Sequence, residues 1–497
     1  KDKSLAKKVL LSVVAAGVMS GFVLTAEAAD IFHEDGEKHT YNAVEAGKVT
    51  ADKGSVIELK GGKITGYKHE DGNTLAVSVT GNSTLTATDV HFTGDFKAKE
   101  GSKVILKGGS VTASDYYENG EKDGYTEFGA IGEGSSIVAE GVDIKSATLA
   151  TEGAKVTIKN SSINTVEGIW AWKNGTIDLI STDGNAKYNV GDVAAEDGGV
   201  INIIGGSVEA QGLLASSNAS IILNGGGKII GSKVERHDDQ EPEVAFADIA
   251  ADISDGSILN ATNVDFTGGI EASGESKVVL NGGSVTAGSF YDKENKPLYS
   301  TEIGADGATI ELNQVKIDSN LGAFEGGVLT VNDSNVNADA AIFASGKGAV
   351  INLNSSNGSA TYTVGEDGIE AEDGAAININ GGKVNTSYLV ANANTTITVN
   401  NADVKATEII DADGANANAS ITFDGTEKNV YTVDKGIVAE NGGKIYINGG
   451  TLKDDNLYSK MYGVKTEEGN TLNTDAKGIV LDQNGVISTM SKQIYAN

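Results

Sequence analysis

Ile377-Asn378-Ile379-Asn380-Gly381-Gly382 is the stretch that decides the fold. Two isoleucines alternate with two asparagines, the period-two pattern of a strand with one apolar face, and a glycine pair ends it. The phrase returns as Val56-Ile57-Glu58-Leu59-Lys60-Gly61-Gly62, Val104-Ile105-Leu106-Lys107-Gly108-Gly109, Ile201-Asn202-Ile203-Ile204-Gly205-Gly206, Val278-Val279-Leu280-Asn281-Gly282-Gly283 and Ile445-Tyr446-Ile447-Asn448-Gly449-Gly450. Weaker copies such as Val156-Thr157-Ile158-Lys159-Asn160 and Ile397-Thr398-Val399-Asn400-Asn401 fill the gaps. The usual spacing, about 19–26 residues, is that of solenoid repeats. The expectation is one continuous β-solenoid from about Asp30 onward, with roughly 17 coils stacked into a rod of roughly 80 Å. The turn asparagines Asn224, Asn281, Asn380 and Asn448 are expected to take left-handed backbone and to hydrogen-bond from coil to coil as a ladder.

Composition fits this reading. Gly supplies 65 of 497 residues and Pro only 2, so many turns need positive φ or close backbone approach, with no collagen-like period. The β-branched bias and the 6% aromatic share suit a narrow interior. Cysteine is absent, which removes disulfides, thiol catalysis and thiolate metal sites. The formal charge is −31 and Arg236 is the only arginine, so the chain lacks the basic stripe that nucleic acid or anionic headgroups require.

Residues 1–28 read as a secretory signal. Lys1, Lys3, Lys7 and Lys8 form the basic start, Val9 to Leu24 the apolar stretch, and Ala26-Glu27-Ala28 the cleavage site. No other stretch is long and apolar enough to cross a membrane as a helix, so the mature chain is expected not to span one. Residues 29–450 form the solenoid, and 451–497 a C-terminal cap or linker. Within the solenoid, residues 84–231 resemble 258–405 at an offset of about 174. Ala87-Thr88-Asp89-Val90-His91-Phe92-Thr93-Gly94 matches Ala261-Thr262-Asn263-Val264-Asp265-Phe266-Thr267-Gly268, and Tyr188-Asn189-Val190-Gly191 matches Tyr362-Thr363-Val364-Gly365. Related phrases stand at Tyr41-Asn42-Ala43-Val44 and Tyr431-Thr432-Val433.

Two polar insertions interrupt the rhythm at equivalent points of the duplicate, Ser114 to Thr126 and Gly288 to Thr301. A third, Ser232 to Val244, lies between the blocks. The duplicated insertions carry the candidate ligand-binding residues. Tyr116, Tyr117 and Tyr125 correspond to Phe290, Tyr291 and Tyr299. Loops on a rigid scaffold commonly carry recognition, and aromatics suit sugar faces or protein hot spots. The other reading of these six residues is that they fold back and cover the flank of the solenoid. Trp170 and Trp172 lie on one face of their strand, with two readings open: core or flank packing, or binding.

Enzymatic signatures do not emerge. The histidines His33, His39, His69, His91 and His237 form no His-Glu-x-x-His pair, and no nucleophile elbow or phosphate loop is present. In the quoted coil phrases Gly-Gly is followed by Lys, Ser or Thr rather than by the Gly-x-Asp of calcium-binding repeats. The acidic turns Glu196-Asp197-Gly198 and Glu372-Asp373-Gly374 read as turn formers. No catalytic residue, cofactor or metal is expected, and thermal melts with and without chelator are expected to coincide.

A basic signal followed by a cysteine-free, Gly/Asn/Thr/Ser-rich run of Val-x-Ile-x-Asn-Gly-Gly coils resembles the passenger region of autotransporter adhesins over nearly all of residues 30–450. The resemblance implies a right-handed parallel β-helix, exported and held at the outer-membrane surface or released outside the cell. A transporter barrel needs many alternating strands, and residues 451–497 are too few to supply it. The function expected is non-enzymatic adhesion or surface coating, with a host or matrix glycan or protein as partner. A structural spacer without ligand, or a carbohydrate-active β-helix enzyme, are the alternatives. A groove of clustered carboxylates would favour the enzyme.

Overall fold

The computed structural model describes residues 30–68, 74–118, 121–235, 244–414 and 418–454 apart from 427, 435, 441 and 442, together with short strands at Thr471–Asn473, Ile479–Leu481, Ile487–Thr489 and Tyr495–Ala496. The signal segment 1–28, His69, and Arg236 with His237 in the third insertion lie outside the described residues. The chain divides into two compact units, residues 1–207 and 208–497. Both are all-β, with no helix among the described residues.

In the first unit the strands form three parallel ladders. In one, Val56–Ile64 pairs with Thr84–Thr93, which pairs with Lys103–Lys107, and pairing continues through Ser136–Glu140, Lys155–Lys159 and Thr176–Ile180 to Val200–Ile204. The register puts like above like. Ile57, Leu85, Val104, Ile137, Val156, Ile177 and Ile201 form one column, each 0% exposed. That column is the apolar face read from the Val-x-Ile phrase, and a single-residue slip would turn it out to water. A second ladder carries Ser110–Thr112, Asp143–Lys145, Ser162–Asn164 and Lys187–Asn189. A third carries Asp95–Lys99, Glu127–Ile131, Ala147–Thr151, Ile169–Trp172 and Asp192–Glu196.

The second unit repeats this plan. Lys277–Asn281 pairs onward through Thr309–Asn313, Val328–Asn332, Val350–Asn354 and Ala376–Asn380 to Thr396–Asn400. Beside it run the ladders of Ser284–Thr286, Lys316–Asp318, Val336–Ala338, Thr361–Val364 and Lys383–Thr386, and of Gly269–Ser273, Glu302–Asp306, Asn320–Phe324, Ala341–Ser345 and Gly368–Glu372. Toward the C-terminus the pairing becomes antiparallel: Thr451–Asp454 pairs with Thr471–Asn473, and Ile479–Leu481 with Lys444–Gly449.

Of the four asparagines named, Asn281 and Asn380 join a ladder, but not in the conformation expected. Asn313 donates to Asn281 at 3.0 Å, Asn332 to Asn313 at 2.8 Å, Asn354 to Asn332 at 2.9 Å, Asn380 to Asn354 at 2.9 Å and Asn400 to Asn380 at 2.8 Å. These asparagines end their strands in extended backbone. The glycines after Asn380, Gly381 and Gly382, take the positive φ instead, at 79° and 88°. An amide must stay in strand register to meet the one above it, so the turn falls to residues without a Cβ. The acidic turns behave as read: Asp197 and Asp373 have φ of 49° and 50°, each before a glycine with positive φ.

A pairing between repeated phrases was not foreseen. Tyr188, Tyr362 and Tyr431 are fully buried, and each packs under the second glycine of the following Gly-Gly. An added Cβ would lie 3.2 Å from the Tyr188 ring at Gly206, 3.0 Å from the Tyr362 ring at Gly382 and 2.5 Å from the Tyr431 ring at Gly450.

Candidate functional site

The duplicated insertions leave their ladders at the same step of the repeat, after Ser110–Thr112 and after Ser284–Thr286, and return at Glu127–Ile131 and Glu302–Asp306. Their necks are tied alike. The Thr126 amide donates to the Ser114 carbonyl at 2.8 Å, and the Ser114 amide to Thr126 Oγ1 at 2.8 Å. In the second unit the Thr301 amide donates to the Gly288 carbonyl at 3.1 Å, and the Gly288 amide to Thr301 Oγ1 at 2.7 Å. Beyond each neck the chain forms an antiparallel hairpin, Asp115–Glu118 with Glu121–Tyr125 and Ser289–Tyr291 with Pro297–Ser300. The backbone sets Tyr116 opposite Gly124, Tyr117 opposite Lys122 and Tyr125 opposite Asp115. The side chains of Tyr116, Tyr117 and Tyr125 lie outside the described residues.

The second hairpin divides its aromatics between the two readings. Phe290 and Tyr291 pair antiparallel with Ala247 and Phe246. The Tyr291 hydroxyl donates to Asp248 Oδ2 at 2.8 Å, and the same oxygen accepts from the Ser289 amide at 3.2 Å. Donation to this carboxylate raises the Tyr291 pKa. Lys233 Nζ sits 3.5 Å from the Tyr291 ring centroid and donates to Asn295 Oδ1 at 2.5 Å, clamping the hairpin tip by a cation–π contact and a charge-assisted bond. These contacts engage both the hydroxyl and the ring of Tyr291. Tyr299 is 47% exposed and its neighbour Leu298 37%. The Tyr299 ring rests against Phe290, with centroids 4.9 Å apart. Phe290 supports an exposed aromatic surface whose outer member is Tyr299.

Trp170 and Trp172 do not enter the core. Ile169 and Ala171 are buried, and alternation sends both tryptophans to the outer face. Trp172 is 43% exposed, donates from Nε1 to Asp197 Oδ2 at 2.7 Å and has Lys173 Nζ 4.4 Å from its ring centroid. In the second unit Phe343 takes the corresponding outward position, with the Phe324 ring 6.1 Å away.

A carboxylate pair lies on the outer face of the second unit. Glu370 and Glu372 share one donor: Asn392 Nδ2 donates to Glu370 Oε1 at 2.7 Å and to Glu372 Oε1 at 3.4 Å. Burial, reinforced by the charge of Glu372, pushes the Glu370 pKa up from 4.5 to about 7. The folded state then binds more protons than the unfolded state between these values, so stability falls as pH rises through that window. The expected result is a melting midpoint that drops by about 1–2 °C across it for this half-exposed site. Glu370→Gln flattens the slope in a melt series; an unchanged slope would place the proton elsewhere.

Neither this pair nor a cluster at the start of the first unit was read from the sequence. In the latter, His33, Asp35 and His39 bring three ligand atoms within 4.8 Å of one another. The spacing His-x-Asp-x-x-x-His was the available signal. It does not match a helical metal motif, because these residues meet across a strand, a bend and a second strand. A shallow groove beside the asparagine ladder is lined by Asn332, Asp333, Asn354, Ser355, Ser356 and Asn380. The chain matches no protein-family model and no curated protein.

Proposed function

We propose that the chain is an exported, non-enzymatic right-handed parallel β-helix of roughly 17 coils, of the autotransporter-passenger kind, acting in adhesion or surface coating. Its contact elements are the duplicated hairpins. Support comes from one observation above all: the same aromatic hairpin leaves the same step of the repeat in both units and is closed by the same pair of neck bonds. Two aromatic hairpins on one chain suit a repetitive ligand, such as a matrix glycan or fibrous protein, through avidity.

Deleting residues 115–125 and 292–299 spares the necks, the parallel ladders and the pairing of Phe290 and Tyr291 with Ala247 and Phe246. The expected result is an unchanged strand signal in circular dichroism and a loss of adherence greater for the double deletion than for either alone. Tyr299→Ala should reproduce part of the loss. Normal adherence by a folded double deletion would remove the hairpins from the contact site. An unfolded double deletion would make them packing elements.

The Glu370–Glu372 pair favours the carbohydrate-active enzyme as second reading, since a carboxylate titrating near 7 suits general acid–base work. Release of reducing ends from polysaccharide, abolished in Glu370→Gln, would establish it. A structural spacer would pass both tests unchanged.

A further inference from the structure

The described chain begins with the strand Ile31–His33, turns through Glu34 to Glu37 and enters the strand Lys38–Ala46. In register, His33 stands over Ala51, His39 over Ile57 and Tyr41 over Leu59. Ala51, Ile57 and Leu59 are each 0% exposed and head the apolar columns of the first unit. So at the first step of the stack, two imidazoles and a phenol occupy positions that the following steps fill with aliphatic side chains. A polar cover alone needs no specific constellation.

This one has a constellation. His39 Nε2 lies 3.0 Å from Asp35 Oδ2 and His33 Nδ1 lies 3.7 Å from the same oxygen. Zinc bonds of about 2.0–2.1 Å in tetrahedral geometry put neighbouring ligand atoms roughly 3.3 Å apart, between those two distances. The imidazole rings are stacked, with centroids 3.4 Å apart and planes at 11°, so one ring must tilt before both in-plane lone pairs meet on one ion. The side chains are 12%, 30% and 24% exposed for His33, Asp35 and His39, open enough for an ion to enter.

The surrounding contacts hold the donors in place. His33 Nε2, the nitrogen turned away from Asp35, is 2.6 Å from the Tyr41 hydroxyl, so its other nitrogen is presented inward. Asp35 Oδ1 accepts from the Glu37 amide at 3.0 Å, and the Asp35 and Gly36 amides both donate to Ser55 Oγ at 3.1 Å. These bonds pin the bend; Oδ2 lies near both imidazoles, and His39 Nε2 is also 3.1 Å from Oδ1.

We propose that His33 Nδ1, Asp35 Oδ2 and His39 Nε2 form a divalent transition-metal site at the first described step of the first unit, with Tyr41 positioning His33. Two nitrogens and one oxygen select zinc, nickel, cobalt or copper over calcium or magnesium, which take oxygen ligands. Three protein ligands leave a further position for water.

The test uses the full chain stripped with chelator and titrated with zinc chloride by calorimetry. The expected result is saturable binding of one ion per chain and a higher melting midpoint for the loaded chain, the reverse of what the sequence alone leads one to expect of chelation. His33→Ala and His39→Ala should each weaken binding at least ~10-fold, and Tyr41→Phe by a smaller factor through His33 orientation. His91→Ala, whose imidazole bonds Ser110 Oγ at 2.9 Å on another strand, should bind as the parent does. Circular dichroism of each variant checks folding. Cobalt loading supplies an independent readout, because a tetrahedral site gives visible ligand-field bands that His39→Ala should abolish. No saturable binding, or binding that survives both His33→Ala and His39→Ala, overturns the site.

Discussion

Replacing Gly382 by alanine is expected to cost about 2–4 kcal/mol. The residue has φ of +88°, and its added Cβ would lie 2.7 Å from the Ala360 carbonyl oxygen and 3.0 Å from Cε2 of Tyr362. The first neighbour is backbone, held by the Lys383 amide at 2.9 Å. The second is a ring fully buried in the core. Neither can retreat without disturbing the stack. Gly326 provides the control. Its φ is +86°, but its added Cβ meets nothing within 4 Å, so Gly326→Ala should cost only the conformational part, about 1 kcal/mol. The comparison separates strain from crowding. Because strands in such a ladder depend on their neighbours, the loss should be local. Hydrogen exchange should quicken in Thr361–Val364 and Lys383–Thr386 before it does in distant strands. Equal losses at the two glycines would mean that the close approach carries no energy.

The parallel ladders were legible in the sequence because they depend on a local pattern. In Val56-Ile57-Glu58-Leu59, alternation assigns Ile57 and Leu59 to the inside, and repetition makes those positions stack. The hairpins were legible as insertions but not as strands, since their pairing lies outside the repeat. Trp170 and Trp172 could be assigned to one face, yet not to which one. The buried partners Ile169 and Ala171 decide that. What remained hidden depends on register. The fit of Gly382 over Tyr362 joins residues one repeat apart and needs the number of residues in the intervening turn. The meeting of His33, Asp35 and His39 depends on the bend at residues 34–37, whose shape is set by Ser55 from the next step. The Glu370–Glu372–Asn392 cluster likewise joins two adjacent strands.

Tyr362 is expected to give opposite signs for two substitutions. Its side chain is 0% exposed, and its hydroxyl has no hydrogen-bond partner among the described residues. Burial raises its pKa. An unpartnered buried hydroxyl costs folding free energy, so Tyr362→Phe, which keeps the ring and removes the oxygen, should stabilise by about 1 kcal/mol. Tyr362→Ala removes the ring from between Val336 and Val384, its neighbours in the ladder. The resulting cavity should cost about 3–5 kcal/mol. Tyr188 and Tyr431 carry the same orphaned hydroxyl, and burial pushes each to a pKa of about 12, so Tyr188→Phe and Tyr431→Phe should behave alike. Denaturant midpoints of the variants test this. A loss of stability in Tyr362→Phe would show that the hydroxyl is bound in solution. Coupling to Gly382 gives the stricter test. Once Tyr362→Ala has removed the ring, Gly382→Ala should cost less than in the parent, because one of its two close contacts is gone. It should still cost more than Gly326→Ala, because the Ala360 carbonyl remains.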